Sequence, residues 1–77
     1  MRITYDLEVD ALYIRFIETT VTTEHVAEGI AVDYAAHERI AGIEILDACE
    51  RFGDPEVFRR VVLEDIALAG PAAAAQS

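Results

Sequence analysis

The chain has 77 residues, a formal charge of −9 from 6 Lys+Arg against 15 Asp+Glu, and a hydrophobic fraction of 53%. That length holds one domain, and the apolar content is far from that of a disordered chain. The charge excludes the basic stripe that binding to nucleic-acid phosphates requires, so no direct nucleic-acid partner is expected. A core this small supplies only about 3 to 5 kcal/mol, and proteins of this size usually add disulfides, a metal or a second subunit. The single cysteine, Cys49, cannot close an intrachain bridge. A reducing compartment, and hence a cytoplasmic location, is expected. No basic n-region opens the chain and no apolar run approaches about 18 residues, so neither an export segment nor a membrane span is expected.

In chain order the first two-thirds reads with period two. Ile3 and Tyr5 share a face, and after an acidic turn over Asp6-Leu7-Glu8-Val9-Asp10 the residues Leu12, Ile14 and Phe16 alternate with Tyr13, Arg15 and Ile17. A polar break at Glu18-Thr19-Thr20 precedes the β-branched run from Val21 to Val26. Glu28-Gly29 offers a tight turn, since glycine accepts positive φ. Ile30, Val32 and Tyr34 then alternate with Ala31 and Asp33. After Ala35-Ala36-His37-Glu38 the last run, Arg39 to Leu46, sets Ala41, Ile43 and Ile45 against Gly42, Glu44 and Leu46. Links of two to five residues between all these runs imply antiparallel neighbours throughout.

These patterns predict an α+β fold, a five-stranded antiparallel meander with one C-terminal helix packed on its apolar face. Residues 1–70 would form the domain and residues 71–77 an Ala-rich disordered tail. The helix is predicted to start at Asp54-Pro55-Glu56, with a capping aspartate and proline at the first helical position. It would run to about Ala69 and stop at Gly70-Pro71. Its apolar arc is wider than one sheet requires, which predicts a homodimer with Phe58, Val62, Leu63 and Ile66 as the contact.

Few residues carry chemistry. Asp6, Glu8 and Asp10 resemble the opening of a calcium loop, but the glycine and the bidentate glutamate that such a loop needs are replaced by Ala11 and Ile17. They read as turn residues. His25, His37 and Cys49 are spaced too widely to form a local zinc pair, and acids flank Cys49 on both sides. The only serine is Ser77, there is no lysine, and no glycine-rich phosphate loop exists. No cofactor is expected and no enzyme is positively indicated. On the polar sheet face, Tyr13, Arg15, Asp33 and Glu44 form a candidate partner surface, since tyrosine and arginine are enriched at binding hot spots.

The stretches Ile3-Thr4-Tyr5-Asp6, Asp10-Ala11-Leu12-Tyr13-Ile14-Arg15-Phe16, Val32-Asp33-Tyr34 and Gly42-Ile43-Glu44-Ile45-Leu46-Asp47-Ala48 resemble the YuzE-like bacterial family, domain of unknown function 2283. The resemblance covers residues 2 to about 50. Leu7 stands where that family usually has proline, and Ala36-His37-Glu38-Arg39 replaces an Asp-Gly turn. The resemblance implies a small antiparallel sheet but no settled activity. It also implies relatives encoded beside small toxin-like proteins, and through them an antitoxin-like role. Two functions of different class are therefore expected. One is a non-enzymatic interaction module masking a basic protein partner, which suits the acidic charge. The other is a small-ligand or metal-binding protein, or an unrecognised enzyme, with its site at a dimer interface.

Overall fold

The computed structural model describes residues 1–66. Five strands, β1 (Arg2–Asp6), β2 (Ala11–Arg15), β3 (Thr22–Ala27), β4 (Ile30–Tyr34) and β5 (Ile40–Ile45), are followed by a short helix, α1 (Ala48–Phe52). All neighbouring strands are antiparallel, and their order in the sheet is β1-β2-β5-β4-β3. Two apolar rows cross it. Tyr5, Leu12, Ile45 and Ile30 lie in register, as do Ile3, Ile14, Ile43 and Val32, so the period-two pattern gives the expected face.

The five-stranded antiparallel sheet is as the sequence predicts, and its hairpins β1–β2 and β3–β4–β5 run in chain order. The link from β2 to β3 departs from that order. It crosses three strand spacings of about 4.8 Å, a span of about 14 Å that six extended residues, reaching about 20 Å, cover easily. A short link therefore does not require neighbouring strands. Pairing β5 with β2 sets Ile45 and Ile43 beside Leu12 and Ile14 at the sheet centre. It leaves β3, exposed at all 6 of its residues, on the edge.

The predicted helix from Asp54 is corrected more strongly. Only a local turn stands at its start: Asp54 Oδ1 accepts from the Glu56 amide at 2.9 Å, and Val57–Arg59 form one 3₁₀ turn whose N-cap, Glu56, makes no side-chain cap bond. Arg60 then returns to extended backbone at φ −139°, ψ 121°, and no helix follows it through residue 66. Local caps nucleate a turn, but a short helix persists in water only when its apolar face is packed, and the β-branched pair Val61-Val62 weakens propagation. The rest of the predicted helix, its Gly70-Pro71 stop and the tail at 71–77 lie outside the described residues.

Instead, α1 ties the end of the sheet where both outer hairpins turn. The Asp10 carboxylate accepts from the Cys49 amide at 3.0 and 3.2 Å, and the Asp10 carbonyl accepts from the Ala48 amide at 3.0 Å. Asp47, the N-cap residue, makes no side-chain cap bond, so a residue 39 positions away from Cys49 fills that role. On the other side of α1, Arg51 donates through Nε to the Leu46 carbonyl at 2.8 Å and through Nη2 to the Glu28 carbonyl. The guanidinium occupies the space a Cβ on Gly29 would need, so glycine serves there both for room and for its φ of +77°. Beyond α1, Phe58 stacks on Tyr5 with ring centroids 4.0 Å apart and planes at 24°. Leu12 is the one large side chain among the buried hydrophobics of the described residues, the others being alanines.

His37 and Glu38 both adopt left-handed backbone, at φ 62° and 58°, which a tight mirror-type hairpin turn demands and side chains with a Cβ resist. Glu38→Gly should therefore raise stability by about 1 kcal/mol, read from the urea midpoint. Hydrogen bonds, the one from Tyr5 first and those from the Cys49 amide next, hold the Asp10 carboxyl below its ordinary value. A depressed folded-state pKa stabilises the fold above the unfolded value near about 4 and ceases to do so as pH falls through the folded value. Asp10→Asn should lower the melting temperature by several degrees at neutral pH, and the gap to the native chain should close in acid.

Candidate functional site

The polar face of the sheet brings together most of the predicted partner surface. Two rows cross it: Thr4, Tyr13, Glu44 and Ala31 in one, and Arg15, Gly42, Asp33 and Thr23 in the next. Within them runs a directed chain of hydrogen bonds. Arg15 Nη2 donates to the Tyr13 hydroxyl at 2.7 Å, that hydroxyl donates to Asp33 Oδ2, and the Thr23 hydroxyl donates to Asp33 Oδ1 at 2.5 Å. The Arg15 guanidinium lies 5.1 Å from the Tyr13 ring centre and also pairs with Glu18 at 3.3 Å. Tyr13, Arg15, Thr23, Asp33 and Glu44 line a shallow hollow of about 330 Å³.

Two residues absent from the sequence prediction make this cluster work. Gly42 lies beneath Tyr13, where a Cβ would come within 2.7 Å of the phenol oxygen and 3.0 Å of the Ile14 carbonyl. Only glycine lets the ring lie across β5. Thr23 reaches Asp33 because the β3–β4 register shifts between His25 and Ala27. Without that bulge the Glu28-Gly29 turn would set Glu24 opposite Asp33, two like charges side by side. With it, a hydroxyl donor faces Asp33 and Glu24 pairs with Val32 on the other side of the sheet.

The electrostatics follow from these bonds. The Thr23 hydroxyl, then the Tyr13 hydroxyl, holds the Asp33 carboxyl below its ordinary value, with the Arg15 charge adding to the effect. Burial, then the bond to Asp33, raises the Tyr13 phenol. Tyr13 thus serves as the donor to Asp33 while accepting from Arg15, and these bonds brace the surface. Glu44 shares the hollow and makes no hydrogen bond or ion pair among the described residues.

The remaining predicted residues are dispersed. Phe58, predicted as a dimer contact, stacks on Tyr5 of its own chain, whereas Val62, Leu63 and Ile66 are exposed. Of the acidic turn, Asp6 accepts from the Glu8 amide at 2.9 Å and Asp10 caps α1, a structural use of both. The Tyr5 hydroxyl donates to Asp10 at 2.6 Å and lies 3.2 Å from the Cys49 sulfur. Its hydrogen bonds, to Asp10 first, raise the phenol well above its ordinary value. His25 sits opposite Ala31 on β3 and His37 in the turn before β5. Among the described residues, no group of three or more His, Cys, Asp or Glu is placed to hold a metal ion. No helix among them is long and apolar enough to cross a membrane.

The sheet and the start of α1 coincide with a match over residues 2–48 to the protein family of unknown function DUF2283. The chain belongs to the DUF2283 family. The match takes in Tyr13, Arg15, Thr23, Asp33, Gly42 and Glu44, so the whole braced cluster lies on the DUF2283 portion of the chain. No curated protein and no solved structure matches this DUF2283 chain significantly.

Gly42→Ala should force Tyr13 off β5, because the backbone carbonyl of Ile14 blocks the new methyl from the other side. The expected result is a loss of about 1 to 3 kcal/mol by chemical denaturation and an altered tyrosine near-ultraviolet dichroism. Tyr13→Phe, which keeps the ring and removes only the hydroxyl, should leave the fold intact.

Proposed function

We propose that this chain is a non-enzymatic protein-interaction module whose polar sheet face receives a basic segment of a partner protein, masking it in the manner of an antitoxin. The observation that carries this reading is Glu44, a carboxylate with no hydrogen-bond or ion-pair partner among the described residues, in a hollow whose other polar groups already satisfy one another. Asp33 is held ionised beside it, and Tyr13 and Arg15 are fixed by their mutual bond rather than free to collapse onto Glu44. A rigid, partly satisfied surface with one open anion suits a lysine or arginine side chain, because the ordering cost on this side of the contact is already met. The net charge of −9 supports the same class of partner by accelerating encounter with a cationic surface.

A short arginine-rich peptide titrated into the 15N-labelled chain tests this. Shifts should concentrate on Tyr13, Asp33 and Glu44, and binding should weaken steeply with added salt. Glu44→Gln should weaken it by up to about fivefold, the scale of one exposed ion pair. Binding that ignores both salt and this substitution, or no binding at all, would remove the reading.

A further inference from the structure

We infer that the free edge of β1 pairs with the same edge of a second copy, antiparallel about a two-fold axis at Thr4, joining two five-stranded sheets into one continuous sheet. This edge lies on the far side of β2 from Glu44, and the inference stands independently of the function proposed for the polar face.

The hydrogen bonds of the sheet fix which backbone groups of β1 are open. The Phe16 amide donates to the Ala41 carbonyl at 2.7 Å, and the Leu46 amide donates to the Gly29 carbonyl at 2.8 Å. Backbone groups alternate in direction along a strand, so Leu12 and Ile14 turn theirs to β5, while Ala11, Tyr13 and Arg15 turn theirs to β1. Asp6, Thr4 and Arg2, the register partners of those three, face β2 in return. Ile3 and Tyr5 therefore aim their N–H and C=O groups away from the sheet, and among the described residues neither has a backbone partner on that side. No proline or bulge blunts this edge. All 5 residues of β1 pair with β2 without a register shift, whereas the opposite edge, β3, is interrupted between His25 and Ala27.

The strand Arg2-Ile3-Thr4-Tyr5-Asp6 is chemically complementary to itself when reversed. Antiparallel pairing centred on Thr4 sets Arg2 of one copy opposite Asp6 of the other, and the two-fold axis repeats that pair. Ile3, 47% exposed, meets Tyr5 of the other copy on the apolar side, a β-branched residue against an aromatic one. These are the residues whose backbone groups are open, so each such pair exchanges both its N–H···O=C bonds. The surrounding charges have the same asymmetry. Arg2 lies opposite Arg15, and the two share one carboxylate, Glu18, at 3.2 and 3.3 Å, which leaves that corner positive on a chain of charge −9. The other end of β1 runs into Asp6, Glu8 and Asp10, a turn without a basic residue. The two-fold axis lays each positive corner on the acidic turn of the other copy. A parallel partner opposes Arg2 to Arg2 and Asp6 to Asp6, and a shift of two residues sets Thr4 opposite a charge, so the charges select this register. With β3 interrupted on the far side, strand addition stops at two copies.

One short strand makes a small contact whose affinity comes from main-chain bonds, so the dimer is a weak one. Sedimentation equilibrium of the full chain from about 10 µM to about 1 mM should show the mass rise from 8.5 kDa toward twice that value. The Ile3 and Tyr5 amides of the 15N-labelled chain should become protected from exchange over the same range. Arg2→Asp or Asp6→Arg alone sets like charges against each other at both ends of the pairing and should weaken association by roughly tenfold or more. Mixing the two variants restores opposite charges at each end, so the mixture should associate where neither variant does alone. Ile3→Pro removes an outward donor that β2 does not use and should give the monomer mass with sheet dichroism retained. It decides the matter if a charge variant fails to fold. A mass of 8.5 kDa at every concentration, a dimer indifferent to Ile3→Pro, or a mixture of charge variants no more associated than its parts would each overturn the inference. Amide protection of Ile3 and Tyr5 that does not change with concentration would also overturn it, giving the edge to the chain's own residues beyond 66.

Discussion

One carboxylate fastens the parts of this small protein to one another. Asp10, at left-handed φ 55° at the end of the first hairpin turn, accepts from the Cys49 amide and from the Tyr5 hydroxyl. The first bond gives α1 the cap that Asp47 does not provide, and the second fixes the ring on which Phe58 stacks. Arg51 completes the clasp from the opposite side by reaching the carbonyls of Leu46 and Glu28. Both hairpin turns are thereby held to one five-residue helix, and the sheet is rigid at that end although its core holds little more than Leu12 and alanines. Stability in such a protein comes from satisfied polar groups at the rim as much as from the interior.

The two faces of the sheet obey different physics. The polar face is braced by a chain of bonds ending on Asp33, and its open charge, Glu44, answers to long-range fields and to salt. The apolar face has no charge at its centre and answers to area. Because neighbouring residues on a strand point to opposite sides, Tyr13 and Ile14, one bond apart in the chain, serve these separate ends. A single layer can therefore present two independent surfaces, provided each strand keeps its alternation.

What was legible in the sequence was what depends on local period. The rows of Ile3, Ile14, Ile43 and Val32, and the company of Tyr13, Arg15 and Asp33 on the reverse, follow from alternation and one glycine turn. The place of β5 between β2 and β4 was not legible, since it arises from contacts distant in the chain and from the exclusion of polar β3 to the edge. The helix that the sequence predicts after Asp54 does not form, for a related reason. Asp54 Oδ1 accepts from the Glu56 amide at 2.9 Å, a local turn bond, but a turn only starts a helix and packing extends it. Thr23 is not legible from the period, because a bulge breaks the alternation that would place it. Nor is Gly42, whose use depends on a ring that crosses from the neighbouring strand.

The bulge that delivers Thr23 to Asp33 has a second effect, on the outer margin of the layer. β3 is an edge strand, and its free amides and carbonyls would otherwise form a straight template for another extended chain. The irregularity between His25 and Ala27 interrupts that template and bends it, while Glu24 adds a charge that an incoming strand would meet. Growth by strand addition into filaments is thus discouraged on this side, at the same residues that steer a hydroxyl toward a carboxylate.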